Sequence, residues 1–294
     1  MGGWSLLLVC FFAPFDQYLG SQAWRQLFVS SQRPAGIHVL LASWTGSAIN
    51  TLIPIATIGG ELVKARLLIL WSYPSDAVVS SVIVDKTVQA ISVLVWAVLG
   101  IILLASTTSN NDVIFWASIG AALLAVGVAG FVWIQVKGSL GIAARLANRS
   151  PIGQKWIQLV QNADTIDHAI RVIYLSPGPI FIAILLRLCA RLILVGEVLL
   201  VMYFMEVPIT FIDALLLKGI VVGIRGVGFA IPGSYGVQEG SYILVGALIG
   251  FTADVMLAVS IATRAREILP SIPFLFFWQH VEGKNFLKRD QNNN

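Results

Sequence analysis

Four long apolar runs, at about 77–106, 112–136, 177–205 and 254–280, each exceed the roughly 18–20 residues that a helix needs to cross a hydrocarbon core. Two further regions, about 36–73 and 208–252, are apolar but broken by Pro and Gly. Between the two sets, the linker 137–171 mixes Lys137, Arg145, Arg149, Lys155 and Arg171 with apolar positions such as Trp156 and Ile157. That pattern predicts one or two amphipathic helices lying on a membrane surface. The expected fold is all-α, a polytopic helix bundle with a first half over 1–136 and a second over 172–294. At the start, Met1 to Leu19 lacks a basic leader and is interrupted by Pro14 and Asp16. An uncleaved, interfacial or short first span is expected there.

The distribution of Lys and Arg orients the chain. The linker and the tail (Lys284, Lys288, Arg289) are basic, as are Arg25 and Arg33 in the early loop, so all three are expected on the cytoplasmic side. Ser106–Asp112 and Glu206–Asp213 carry no Lys or Arg and are expected outside. Region 36–73 must then begin and end inside, and region 208–252 outside. Each is expected to be a re-entrant helical hairpin, and the two enter from opposite faces. Their sequences match: Ile53-Pro54 through Gly59-Gly60-Glu61 and Ile231-Pro232-Gly233 through Gly236-Val237-Gln238-Glu239 both place a Glu seven residues after the Pro. Opposed, Pro/Gly-broken segments of this kind mark an inverted repeat with a binding site between the tips.

Composition supports the membrane and excludes several functions. Only 12% of residues are charged, against about 25% in soluble domains, and mean hydropathy is +0.84. The net charge of +4 follows the loops, so nucleic acid is not an expected partner. Cys10 and Cys189 form no spaced pair, and His38, His168 and His280 form no ligand motif. No metal and no cofactor are expected, and without a phosphate-binding G-x-x-x-x-G-K-[ST] loop there is no ATP site of that type.

The charges that remain lie inside apolar segments: Glu61, Lys64, Arg66, Asp85, Lys86, Arg187, Arg191, Glu197, Lys218, Arg225, Glu239, Arg264, Arg266 and Glu267. Each costs about 2.5–3.5 kcal/mol at the bilayer centre on insertion scales, so they must pair, snorkel or line a hydrated cavity. Pairing of Arg187 and Arg191 with Glu61, Glu197 or Glu239 would explain single residues; a polar cavity better explains the set. The freed backbone at Pro54 and Pro232 also needs burial or water, and helix starts facing a cavity suit a phosphate or carboxylate. Gly219-x-x-x-Gly223 and Gly246-x-x-x-Gly250 need only close helix packing.

Asn50-Thr51-Leu52-Ile53-Pro54 with Gly59-Gly60-Glu61-Leu62-Val63-Lys64-Ala65-Arg66 resembles the first signature of the flippase-like family named for the transmembrane region of lysylphosphatidylglycerol synthase. Ile231-Pro232-Gly233, Gly236-Val237-Gln238-Glu239-Gly240 and Arg264-Ala265-Arg266-Glu267 resemble its second. Trp278-Gln279 with Glu282 resembles the ending of its hopanoid-biosynthesis-associated branch. Lys218 and Gly219 depart from the family pattern, standing where an acidic residue and a serine are expected. The resemblance implies a multi-pass bacterial inner-membrane protein, C-terminus cytoplasmic, that moves lipid between leaflets without enzymatic activity. It implies no soluble synthase domain after the last span.

Together these readings predict a lipid translocase whose substrate, a phospholipid or a hopanoid, passes its headgroup between the hairpins. The candidate site residues are Asn50, Pro54, Gly60, Glu61, Arg66, Asp85, Arg187, Arg191, Glu197, Arg225, Pro232, Gly236, Gln238, Glu239, Arg264, Arg266 and Glu267. Arg187, Arg191, Arg225 and Arg264 would contact an anionic headgroup, Glu61 and Glu239 would brace the tips or meet a cationic group, and Asp85 would pair with a neighbouring base. The alternatives are an intramembrane lipid-modifying enzyme with Glu61 and Glu239 as acid and base, a small-solute carrier, and a scaffold. A homodimer is compatible with the sequence but not required by it.

Overall fold

In the computed structural model, which describes residues 3–53, 59–107, 111–137, 163–227 and 236–292, all regular structure is helical and no strand occurs among these residues. A 3-10 segment, Gly3–Phe11, leads into α1 (Phe12–Gln26). The first broken region is a pair of helices, α2 (Gly36–Leu52) and α3 (Gly59–Leu70), packed against each other. Next come α4 (Ser75–Thr107) and α5 (Asn111–Val136). The second half opens with α6 (Ala163–Tyr174) and α7 (Pro177–Phe204). Its broken region is α8 (Phe211–Val227) and α9 (Val237–Leu248), again packed together, followed by α10 (Ala253–Ile268) and α11 (Ile272–Asn292). Pro54 and Pro232 lie outside the described residues, as does most of the linker.

Local chemistry sets the boundaries. Pro177 begins α7, where a missing N–H costs nothing. Gly250 ends α9 at φ +89°, and the Phe251 amide donates back to the Gly246 carbonyl at 2.9 Å, closing the last turn. In α6, Ile166, Ile170 and Ile173 recur at helical spacing and are all buried, which fits the amphipathic pattern expected of the linker. The apolar run expected at 254–280 is divided: Leu269–Ser271 forms a 3-10 turn at Pro270, which has no N–H to continue the helix. Among the described residues, two stretches, Ser75–Thr107 and Ile114–Lys137, are long and apolar enough to cross a membrane. Helix α7 has the length, at 28 residues, but carries Arg187, Arg191 and Glu197 along it.

The helices build two apolar cores. One gathers Trp24, Val39, Leu67, Leu68, Val84 and Ile170 from α1 to α4 and α6. The other gathers Trp96, Val198, Leu217, Tyr242 and Met256 from α4 and α7 to α10. The packing between halves is reciprocal: α8, the first arm of the second broken region, lies along α4, while α2, the first arm of the first, lies against α10 and α11. Trp44 of α2 stacks on Phe274 of α11 with ring centres 4.1 Å apart.

Glycines make the closest contacts. A Cβ on Gly46 would lie 2.6 Å from the carbonyl oxygen of Gly60, so α2 and α3 meet backbone to backbone. A Cβ on Gly219 would lie 2.8 Å from the Cα of Gly100, so α8 and α4 do the same. Gly223 abuts Ala97 and Gly246 abuts Met256, the packing role expected of Gly219, Gly223 and Gly246; Gly250 instead meets nothing within 4 Å and serves to end α9 at positive φ.

Candidate functional site: a polar cavity between the halves

Between the two cores lies a polar cavity of about 460 Å³, reached by residues from α1 to α4 and from α7 to α10. A smaller hollow of about 240 Å³ adjoins it and shares Asp16, Gln17, Ser47, Asn50, Arg225, Arg266 and Glu267 with it. Helix α7 supplies the central wall, because Arg187, Arg191 and Leu194 recur at spacings of four and three and so face one side.

Two ion-pair networks flank the cavity. In the first, Asp85 of α4 is buried and collects three donors: Lys64 Nζ at 2.9 Å, Gln89 Nε2 at 2.9 Å and the Arg187 guanidinium. Lys64 also meets Glu61 at 2.6 Å, and Lys86 pairs with the other oxygen of the same carboxylate. The Lys64 ammonium lies 4.7 Å from the ring centre of Trp24, whose own N–H donates to Ser81 at 3.1 Å.

In the second network Glu197 of α7 is fully buried and accepts from Lys218 Nζ at 3.0 Å and Arg266 Nε at 2.9 Å. Arg225 grips Glu267 with both guanidinium nitrogens, at 2.9 and 3.4 Å, the fork geometry natural to arginine and carboxylate. Arg266 also faces Asp16 at 3.7 Å and Glu267 at 3.4 Å. The networks are alike in form: a buried carboxylate, Asp85 or Glu197, is neutralised by one lysine and one arginine from different helices.

Arg191 stands apart. It lines the cavity one turn from Arg187, its one polar contact is a long 3.4 Å hydrogen bond to Ser92, and its buried Nε has no acceptor among the described residues. No carboxylate of the described residues lies within 4 Å of it. Around the cavity stand Lys64, Lys86, Arg187, Arg191, Lys218, Arg225 and Arg266, against the carboxylates Asp16, Glu61, Asp85, Glu197 and Glu267. The cations therefore outnumber the anions, seven to five, and Arg191 is the one of these seven with no carboxylate of the described residues within 4 Å. Such a site attracts an anion, and a guanidinium suits a phosphate or a carboxylate.

The remaining candidates act at other places. Asn50 ends α2 and its side-chain oxygen accepts the Gly60 amide at 2.9 Å, tying the two helices where α3 begins. Glu239 accepts the amide of Gly236 at 2.8 Å, where φ is +78°, and pairs with Arg264 at 2.8 Å, so it braces the start of α9. Gln238 is buried and donates to Thr263 at 3.0 Å. Arg66 pairs with Glu282 of α11 at 2.5 Å, near the surface and away from the cavity. The structure thus brings Asn50, Glu61, Arg187, Arg191, Arg225, Arg266 and Glu267 to one cavity, with Asp85 and Glu197 beneath its wall. It sets Arg66, Glu239 and Arg264 apart from that lining.

Asp16, Gln17, Lys64, Lys86, Gln89 and Lys218 also line the cavity and were not among the candidates. Lys64, Lys86 and Lys218 were visible as charges in apolar runs. Asp16 gave a signal as well, but one that reads first as a break in a leader-like segment.

A family model, described as the lysylphosphatidylglycerol synthase TM region, matches residues 2–273. The chain belongs to this family. No curated protein and no solved structure gives a match. Membership in the lysylphosphatidylglycerol synthase TM family makes it a membrane protein of a lipid-related family. At the two positions where the resemblance leads one to expect an acidic residue and a serine, Lys218 neutralises Glu197 and Gly219 permits the approach to Gly100.

Proposed function

We propose that the protein moves lipid between the two leaflets, the headgroup passing through the polar cavity while the tails stay in the bilayer. The observation that carries this reading is Arg191: a cation in an apolar bundle, facing a cavity, with no carboxylate of its own among the described residues. A buried charge of that kind is expensive unless an anion or water answers it. The excess of cations around it favours a phosphate-bearing headgroup over a neutral or cationic one. The family description names a lipid that carries a phosphate, the group the lining guanidinium side chains would meet.

The reciprocal packing of the two broken regions supports an inverted repeat, with re-entrant hairpins that approach the cavity from opposite faces. In this reading the protein lies in the bacterial inner membrane with its C-terminus cytoplasmic, and Asp85 and Glu197 hold the walls while Arg187, Arg191 and Arg225 meet the headgroup. Movement of this kind requires no covalent step.

The test is leaflet exchange in proteoliposomes, with fluorescent phosphatidylglycerol and phosphatidylcholine compared for the wild type and Arg191→Gln. Protein-dependent exchange that favours phosphatidylglycerol and falls in Arg191→Gln is the expected result. Equal exchange of both lipids by both proteins contradicts a headgroup site at Arg191, and a chemically altered lipid in the product would favour an enzyme instead.

A further inference from the structure

A second hollow, of about 630 Å³, lies among α4, α5, α8 and α9 and shares no lining residue with the polar cavity. Its walls are apolar: Leu104 from α4, Trp116, Gly120 and Leu124 from α5, Ile220 from α8 and Leu248 from α9. Asp112, in the first turn of α5, is its one charged lining residue among those described. Along α5 the groove runs from Asp112 to Leu124, about 18 Å at about 1.5 Å per residue. A single leaflet of a hydrocarbon core about 30 Å thick is about 15 Å deep. The groove therefore starts at the α4–α5 end of the bundle and reaches one leaflet inward.

We infer that this groove holds the acyl tail of a membrane lipid, with the headgroup at the α4–α5 end beside Asp112. The rest of α5 is apolar and exposed, with Leu123 and Val126 among its exposed residues, so in a bilayer lipid would be the medium that meets the groove. An acyl chain matches the length, the chemistry and the narrow section of the space. Gly120 keeps the groove open, since a Cβ there meets nothing within 4 Å. Gly223 lets its floor close, since a Cβ there would press on Ala97.

The experiment uses the full chain in nanodiscs of phosphatidylglycerol and phosphatidylethanolamine, with a trace of phosphatidylglycerol bearing a photoreactive diazirine in its acyl chain. After irradiation, adducts are mapped by peptide mass spectrometry. They are expected to concentrate on Leu104, Leu124 and Leu248 above the level on the exposed face of α5. Gly120→Phe should abolish them there and leave those at Leu123 and Val126 unchanged; Gly120→Leu serves if the larger residue impairs folding. Gly127→Phe, on the same helix and equally unobstructed but outside the groove, should leave the groove adducts in place. Adducts no denser in the groove than on the exposed face, or unmoved by both Gly120 variants, would overturn the proposal. So would cross-links between α5 and α9 of separate copies that the Gly120 variants remove, because the occupant would then be a second copy.

Discussion

At Glu197 a single carboxylate answers two cations, Lys218 and Arg266, in a fully buried position. Removing one member of a buried pair leaves an uncompensated charge, at a cost of about 3–5 kcal/mol. Glu197→Ala is therefore expected to lower thermal stability in detergent sharply or to prevent folding. A Glu197→Gln/Lys218→Gln double variant should be less destabilised than the two single changes together imply, because both charges leave at once. Arg191 predicts the opposite behaviour. No carboxylate of the described residues lies within 4 Å of it, and Asp16, which acts on it across the cavity, keeps Arg266 beside it, so Arg191→Gln should cost far less stability than Glu197→Ala while losing affinity for anionic lipid. Equal destabilisation by Arg191→Gln and Glu197→Ala would show that Arg191 is a structural pair member after all.

Among the elements, the closest approach is that of α4 and α8 at Gly100 and Gly219. Gly219→Val should force these helices apart, and overpacking of this kind costs about 1–3 kcal/mol or more. Thermal melts should show a clear loss for Gly219→Val and almost none for Gly127→Val, whose Cβ would meet open space. Helix α6 makes a second case. Tyr174 donates its hydroxyl proton to Gln135 Oε1 at 2.7 Å and its oxygen lies 3.2 Å from the Thr87 hydroxyl, joining the end of α6 to α4 and α5. Tyr174→Phe removes those bonds, each worth about 1 kcal/mol, and should speed hydrogen exchange across residues 163–174 without changing it in α4. If exchange there is unaltered, the helix is held by Ile166, Ile170 and Ile173 alone.

For the whole molecule, the helical class and the two broken regions were legible in the sequence because apolar run length and Pro/Gly breaks act locally. The break at Pro270 was not seen, since a long apolar average hides one missing N–H. The charged residues pointed to a cavity because burial makes each of them costly. Which carboxylate meets which base was not legible: Arg187 finds Asp85, 102 positions away, rather than Glu61, Glu197 or Glu239. Asp16 became a wall residue because α1 packs along α7, a contact with no local trace in sequence. The account rests on a headgroup passing through the cavity. Ser47 lines both of its parts, and Cys10 and Cys189 are the natural cysteines. In a Cys10→Ser/Cys189→Ser background, Ser47→Cys can be labelled with a bulky thiosulfonate reagent while phosphatidylglycerol exchange is followed in proteoliposomes. Exchange that stops on labelling and returns on reduction is the predicted result; undiminished exchange through a fully labelled protein would mean that lipid takes another route.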